Sequence, residues 1–364
     1  MTGQTESRTS LDRLFFFGRP FSPLYGFLMS LRENLYRKGV LRQHKLEVPV
    51  ISVGNLVLGG TGKTPLVLYI AKLLQSQNKA PVILSRGYKG SATGAINLVS
   101  DRTTILLDAS AAGDEPRLLA EKLPGVPVIT GKKRYTTGRF ALDSLGADTL
   151  ILDDGFQHLA LKRDLDLVLF TGGDILGNGR VLPGGELREP LSALKRADAF
   201  IITSYDGDRD RKAQEFISNL RELYPEKPLF TTSYEPGKTL LRIFNGKNEI
   251  ISQADARSIN LYGFCGVARP DSFRKTLEKT GIKLAGFQAY DDHHAYSRAE
   301  IDSLLHKAKG SGAGGLITTE KDWVKLQHIF PPGFPLLVLP VELLFNDDFD
   351  RFLITQLNNV KHPQ

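Results

Sequence analysis

The chain has 364 residues, a net charge of +7 from 47 Lys+Arg against 40 Asp+Glu, and 41% hydrophobic residues. This ordinary globular usage excludes a wholly disordered chain, a collagen and a polytopic membrane protein, and the length suggests two domains or one with appendages. A single cysteine, Cys265 in the apolar run LYGFCGVA, excludes an internal disulfide framework and an all-cysteine zinc site, and reads as a small buried hydrophobe.

The first twelve residues are polar, as mobile chain ends often are. From Ser22 a helix is expected, with Ser22 as N-cap and Pro23 at its first position. Leu24, Phe27, Leu28, Leu31 and Leu35 recur at three- and four-residue spacing, Arg32, Arg37 and Lys38 lie opposite, and Gly39 closes the pattern. Phe15, Phe16, Phe17 and Phe21 precede it. Within residues 13–45, Arg13, Arg19, Arg32, Arg37, Lys38, Arg42 and Lys45 face one acid, Glu33, so this arm carries most of the net charge. The nearly neutral remainder argues against a large nucleic-acid groove. A basic amphipathic helix either lies in a membrane interface or packs on its own domain; the adjacent aromatics and the focused charge favour the membrane.

Next, VPVISVGN (48–55) reads as a buried parallel strand, followed by a Gly-rich turn and a helix over 63–76. The runs APVILSRG, GVPVITG, ADTLILDDG, LDLVLF and ADAFIITS alternate with helical stretches, the pattern of a doubly wound α/β sheet. After the charged helix ending at Leu223, short strands and helices from PLFTTSY to PLLVLPVEL predict a second, smaller α/β unit. The expected division is 1–45 for the membrane-associating helix, 46–226 for the core, 227–345 for the smaller unit as a lid, and 346–364 for a C-terminal helix and tail.

Four groups of residues carry chemistry. Gly59, Gly60, Thr61, Gly62, Lys63 and Thr64 stand between a strand and a helix, as in a P-loop. There, backbone N–H groups cradle phosphates, the lysine reaches the β/γ-phosphates and the hydroxyl binds Mg²⁺. The full pattern has glycine where this chain has Val57. LILDDG places Asp153 and Asp154 at a strand end, the Walker-B arrangement that holds Mg²⁺. Asp114 in GDEP either caps the following helix or serves as a carboxylate that takes a hydroxyl proton or helps hold Mg²⁺. Asp291-Asp292-His293-His294 offers metal ligands, a carboxylate-oriented base, or a surface loop. Lys321 and Asp322 in TTEKD are adjacent, the wrong spacing for a guanine-reading loop.

Taken in order, SVGNLVLGGTGKTP, SRGYKG, GDEPRLLA, LDDGFQH, GNGRVLPGGELREP, DDHHAYS and TTEKDWVKL resemble the tetraacyldisaccharide 4′-kinase family over roughly residues 20–345. The resemblance implies a P-loop NTPase-like, doubly wound, mostly parallel sheet with a second, smaller α/β domain and an N-terminal amphipathic helix. It implies transfer of the ATP γ-phosphate, with Mg²⁺, to the 4′-hydroxyl of lipid A disaccharide 1-phosphate, giving lipid IVA at the cytoplasmic face of the inner membrane. The family shares the P-loop without the leading glycine. By motif, Lys63 and Thr64 match the phosphate and Mg²⁺ ligands, Asp153 and Asp154 the Walker-B acids, and Asp114 the catalytic aspartate. His293 matches its histidine partner, Glu115 and Gln157 lie near the metal, and Arg188 contacts phosphate or substrate. The alternatives are a soluble P-loop kinase of a small molecule and a non-enzymatic nucleotide switch.

Overall fold

The computed structural model describes residues 13–172, 175–205, 211–345 and 348–360. The polar segment 1–12 and the last four residues lie outside them. A nine-stranded sheet forms the larger layer: β1 (Val50–Asn55), β2 (Pro81–Ser85), β3 (Asn97–Ser100), β4 (Val128–Thr130), β5 (Thr149–Asp153), β6 (Leu165–Thr171), β7 (Ala199–Thr203), β8 (Leu229–Pro236) and β15 (Val341–Phe345). Its order is β15-β8-β7-β6-β1-β5-β2-β4-β3. Seven strands from β8 to β4 run parallel, and β15 and β3 close the edges antiparallel. The central runs are apolar at nearly every position because helices cover both faces.

Those helices include α2 (Lys63–Ser76), α3 (Asp114–Lys122), α4 (Arg134–Leu145) and α5 (Arg211–Leu223). From β1 the chain travels outward to β2 and β4; from β5 it returns past β1 to β6 and β7. Such a reversal opens a crevice at the carboxyl ends of the strands, the usual ligand position in open α/β sheets.

The smaller sheet holds β9 (Thr239–Phe244), β10 (Lys247–Ser252), β11 (Leu261–Cys265), β12 (Leu284–Ala289), β13 (Gly315–Thr319) and β14 (Leu336–Leu339), in the order β10-β9-β14-β13-β11-β12. Helices α6 (Pro270–Thr280), α7 (Arg298–Gly310) and α8 (Glu320–Leu326) accompany it. Cys265 is fully buried in its core, where burial pushes the thiol above its ordinary range.

The strands at the two ends of the expected 227–345 unit belong elsewhere. β8 pairs parallel with β7 and antiparallel with β15, and Phe230 and Leu343 enter the core of the large sheet. Hydrophobic strands with no helix between them look alike in sequence whichever sheet they join. The chain therefore leaves the large sheet at Pro236 and returns at Val341, and α9 (Phe349–Asn359) packs Phe349 and Leu353 into the same large core.

Helix α1 (Ser22–Arg37) starts where expected, but Ser22 is not its cap. The Ser22 hydroxyl donates to the Val181 carbonyl at 2.8 Å and accepts from the Gly184 amide at 2.9 Å, pinning the helix to the 181–188 segment. Part of its polar side faces the core: Arg32 donates to the Gln157 carbonyl and Glu33 pairs with Arg196, while Arg37 and Lys38 stay exposed. Its apolar side faces outward, with Leu24 58% and Phe27 63% exposed, beside exposed Phe16, Phe17 and Phe21; Phe15 alone of the aromatic group is buried. No helix among the described residues is long and apolar enough to cross a membrane.

Candidate active site

The phosphate loop leaves β1 and enters α2. Gly59 and Gly62 have φ of 105° and 86°, the left-handed region that glycine tolerates. A Cβ on Gly62 would also overlap the Tyr234 hydroxyl. Val57, which stands where the common pattern has glycine, is buried and bridges antiparallel to Leu187. The Leu58 amide donates to the Glu186 carbonyl at 2.9 Å, and Arg188 N–H donates to the Leu56 carbonyl at 2.7 Å. The first half of the loop is thus stitched into a short ladder, and glycine is needed only from position 59 onward.

Lys63 opens α2. Its ammonium lies 3.2 Å from Asn55 Oδ1 and 3.6 Å from Asp154 Oδ1. Asp153, the last residue of β5, is buried; its Oδ2 accepts from Ser85 Oγ at 2.9 Å, and Oδ1 has no hydrogen-bond partner among the described residues. Burial, then the charges of Glu115 and Asp154, push the Asp153 carboxyl up to about 7. Asp154 turns into the cleft with φ 55°, and Arg188 Nη1 reaches its two oxygens at 2.9 and 2.8 Å. Burial alone would raise Asp154, but the Lys63 and Arg188 charges outweigh it and hold the carboxyl below its ordinary range. The two acids therefore differ: one is buried with a single hydrogen-bond partner, the other is charged and held by two cations.

Asp114 opens α3 behind Gly113, whose φ is 94°, and no side chain caps that helix end. Asp114 is the first helical residue rather than the N-cap, and its Oδ1 accepts from the Glu115 amide at 3.1 Å. Its carboxylate also meets His293 Nδ1 at 2.8 and 3.0 Å. Burial would raise this carboxyl, but the His293 hydrogen bond and the Lys321 charge bring it below its ordinary value. His293 comes from the loop after β12 and holds a strained φ of 59°. His294 points elsewhere, with Nε2 3.1 Å from Glu300 and its ring stacked on Tyr290.

The glycines, Thr61, Lys63, Thr64, Glu115, Asp153, Asp154, Gln157, Arg188 and His293 line one cavity of roughly 990 Å³, with Asp114 directly behind His293. Gln157 donates through Nε2 to the Asn55 carbonyl at 2.9 Å, so its amide oxygen remains available. Among the described residues no cluster of three or more His, Cys, Asp or Glu has the arrangement of a protein-built metal cage. A Mg²⁺ site needs none: the ion keeps waters and takes one or two carboxylates plus substrate phosphates. The unpartnered Asp153 Oδ1, the Asp154 carboxylate and the Thr64 hydroxyl are hard oxygen donors beside an open glycine cradle, and they fit that requirement.

Sequence reasoning missed several members. Lys321, set aside with the guanine-loop comparison, places its ammonium 3.2 Å from Glu115, Asp292 and His293. Asn55 ends β1 and bonds the loop at Val57 and Lys63, Ser85 ends β2 in the cavity lining, and Tyr25, Met29 and Arg32 of α1 form one wall of the cavity. Strand-terminal polar residues gave a faint signal; the α1 wall gave none, because its residues face away from the stripe that the periodicity picks out. Asp322 is structural: its carboxylate accepts from Gly266 N–H, the Thr319 hydroxyl, Tyr296 and Lys325.

A family model described as tetraacyldisaccharide-1-P 4′-kinase matches residues 14–358. Among curated relatives, the tetraacyldisaccharide 4′-kinase of Desulfotalea psychrophila is 46% identical over 346 residues, covering 94% of this chain and 97% of its own. That of Geobacter sulfurreducens is 40% identical over 320 residues, covering 88% and 86%. The crystal structure of the "apo" form of LpxK from Aquifex aeolicus in complex with ATP superposes with a TM-score of 0.71 at 34% identity, over 93% of this chain and 98% of that one. With its fold, its phosphate loop and nearly its whole length accounted for, the chain belongs to the tetraacyldisaccharide-1-P 4′-kinase family.

Proposed function

We propose that this enzyme transfers the γ-phosphate of ATP to the 4′-hydroxyl of a tetraacylated glucosamine disaccharide 1-phosphate, giving lipid IVA in lipid A biosynthesis. One observation carries the reading: an Asp–His pair drawn from opposite sheets closes over a phosphate loop and its two strand-end acids. A pure nucleotide switch has no use for such a pair, whereas a sugar hydroxyl, a poor nucleophile at neutral pH, requires a proton acceptor within hydrogen-bond reach.

Phosphoryl transfer depends on positioning and charge neutralisation. Backbone N–H groups of Gly59–Lys63 would cradle the phosphates, and the Lys63 ammonium, now on Asn55 and Asp154, is within the same cradle to take them. Thr64, Asp153 and Asp154, with Glu115 and Gln157 nearby, would hold Mg²⁺, which would supply neutralisation of the phosphate charge. Arg188 helps keep Asp154 ionised and aimed into the cleft, and would meet a phosphate or substrate oxygen there. The Asp114–His293 pair receives the hydroxyl proton as the new O–P bond forms and ADP departs. Residues 239–339 act as a lid that carries His293 to Asp114.

The outward apolar side of α1, with Arg13 and Arg19 beside it, suits a peripheral position at the cytoplasmic face of the inner membrane, where a four-chain substrate resides. A soluble small-molecule kinase would leave that face without a purpose. The direct assay uses radiolabelled ATP with lipid A disaccharide 1-phosphate in detergent. A bis-phosphorylated lipid is the expected product, and ATP hydrolysis without a labelled lipid would overturn the reading.

A further inference from the structure

Lys321 is the second residue of α8, on the smaller sheet's side of the cleft, and it is largely buried. Its ammonium has three acceptors, each at 3.2 Å: Glu115 Oε1 from α3, Asp292 Oδ1 from the histidine loop, and His293 Nε2. An ammonium has three N–H donors and no acceptor, so the three partners use its full capacity. The third bond can form only if His293 Nε2 presents its lone pair. A proton on Nε2 would point at a cation 3.2 Å away, while the nearest carboxylate oxygens, of Asp292 and Glu115, lie beyond hydrogen-bond distance at 3.7 and 3.8 Å.

The other ring nitrogen agrees. Nδ1 stands 2.8 and 3.0 Å from the two oxygens of Asp114, a carboxylate that accepts and does not donate when ionised. In an imidazole the bond made by one nitrogen fixes the protonation of the other. We infer that Lys321 is a positioning residue for phosphoryl transfer: by donating to Nε2 it holds His293 as the Nδ1–H tautomer, turned so that this N–H supports the Asp114 carboxylate. The same ammonium also bonds Glu115 of α3, so it joins the histidine loop to the core across the cleft.

This rests on the Asp114–His293 pair being the proton acceptor, and the experiment separates the two. In full-length enzyme labelled with ¹⁵N-histidine, the long-range ¹H–¹⁵N spectrum should show His293 with a protonated Nδ1 and a bare Nε2; Lys321→Met should erase that pattern. Lys321→Met should lower kcat about 10–100-fold, the usual cost of losing a partner that orients a functional histidine, with KM for ATP little changed. In a His293→Ala background the same substitution should cost nothing further, because the group it acts through is gone. If Lys321→Met does not fold, Lys321→Arg keeps the charge but cannot direct three hydrogens from one atom, and the wild-type spectrum decides on its own. A proton on Nε2 in the wild type, wild-type turnover in Lys321→Met, or an undiminished loss in the His293→Ala background would each overturn the inference. Wild-type turnover in His293→Ala would instead remove the acceptor pair itself, and this inference with it.

Discussion

The Tyr25 hydroxyl, on the helix whose far side presents bare leucine and phenylalanine, donates to the main-chain carbonyl of Arg188 at 3.0 Å. The guanidinium of that same Arg188 grips Asp154. Two bonds therefore connect the outward apolar helix to an acid at the phosphate loop. Burial and then the nearby Glu189 raise the Tyr25 phenol above its ordinary range, so it stays a donor through neutral pH. Tyr25→Phe removes one hydrogen bond worth about 1 kcal/mol, equivalent to a factor of about five in rate or affinity. The expected result is that order of loss in kcat/KM for the lipid, with vesicle binding intact. A loss confined to vesicle binding would mean that the bond anchors the helix and does nothing for the site.

Asp114→Ala should lower kcat by about 10²–10⁴, the usual contribution of a general base, while nucleotide affinity changes little because Lys63 and the loop glycines remain. Single-turnover phosphorylation and fluorescent-nucleotide binding measure the two separately. Equal damage to both would point to a folding defect at the start of α3, and unchanged turnover would take Asp114 out of the chemistry.

Much of this site was legible because phosphate chemistry dictates a local pattern. The strand–glycine–lysine run from Val50 to Thr64 and the strand end at Asp153-Asp154 are each one short continuous stretch, so their neighbours in sequence remain their neighbours in space. The Asp114–His293 contact spans 179 positions and followed only from family likeness. Lys321 was missed for a related reason: its three partners lie on two other elements, α3 and the histidine loop, and nothing within TTEKD announces them. Ser22 shows the opposite error. It has the right residue type for a cap, yet its hydroxyl is taken by Val181 and Gly184, a tertiary contact that overrides the local preference. The assignment of β8 and β15 fails in the same way, since sheet membership depends on pairing partners rather than on the strand's own residues.

His158 should make the fold sensitive to mild acid. Burial, followed by the charges of Arg134, Arg163, Arg32 and Arg86, pushes its imidazole down to about 4 from 6.5. Between those values the unfolded chain binds a proton that the native state refuses, so stability falls as pH drops through this window. Above pH 6.5 both states are neutral at this position and the residue contributes no pH dependence. His158→Gln should flatten the part of the Tm-against-pH curve between those limits. A curve identical to wild type would mean that other groups set the acid limb.

The outward side of α1 gives the sharpest test of location. Deleting residues 1–40 is a poor probe, because it also removes Tyr25, Met29 and Arg32 from the cavity wall. Phe27→Glu with Leu24→Glu leaves that wall in place, since both side chains already face outward. Withdrawing two large apolar groups from an interface forfeits about 3–6 kcal/mol, on the order of 10²–10⁴ in partitioning. The double variant should stay in the supernatant when anionic vesicles are pelleted, yet phosphorylate detergent-dispersed lipid at close to the wild-type rate. Undiminished pelleting would show that this helix face is not what holds the enzyme to lipid. Equal loss of activity in detergent and on vesicles would show that the face shapes the catalytic cleft and not merely its location.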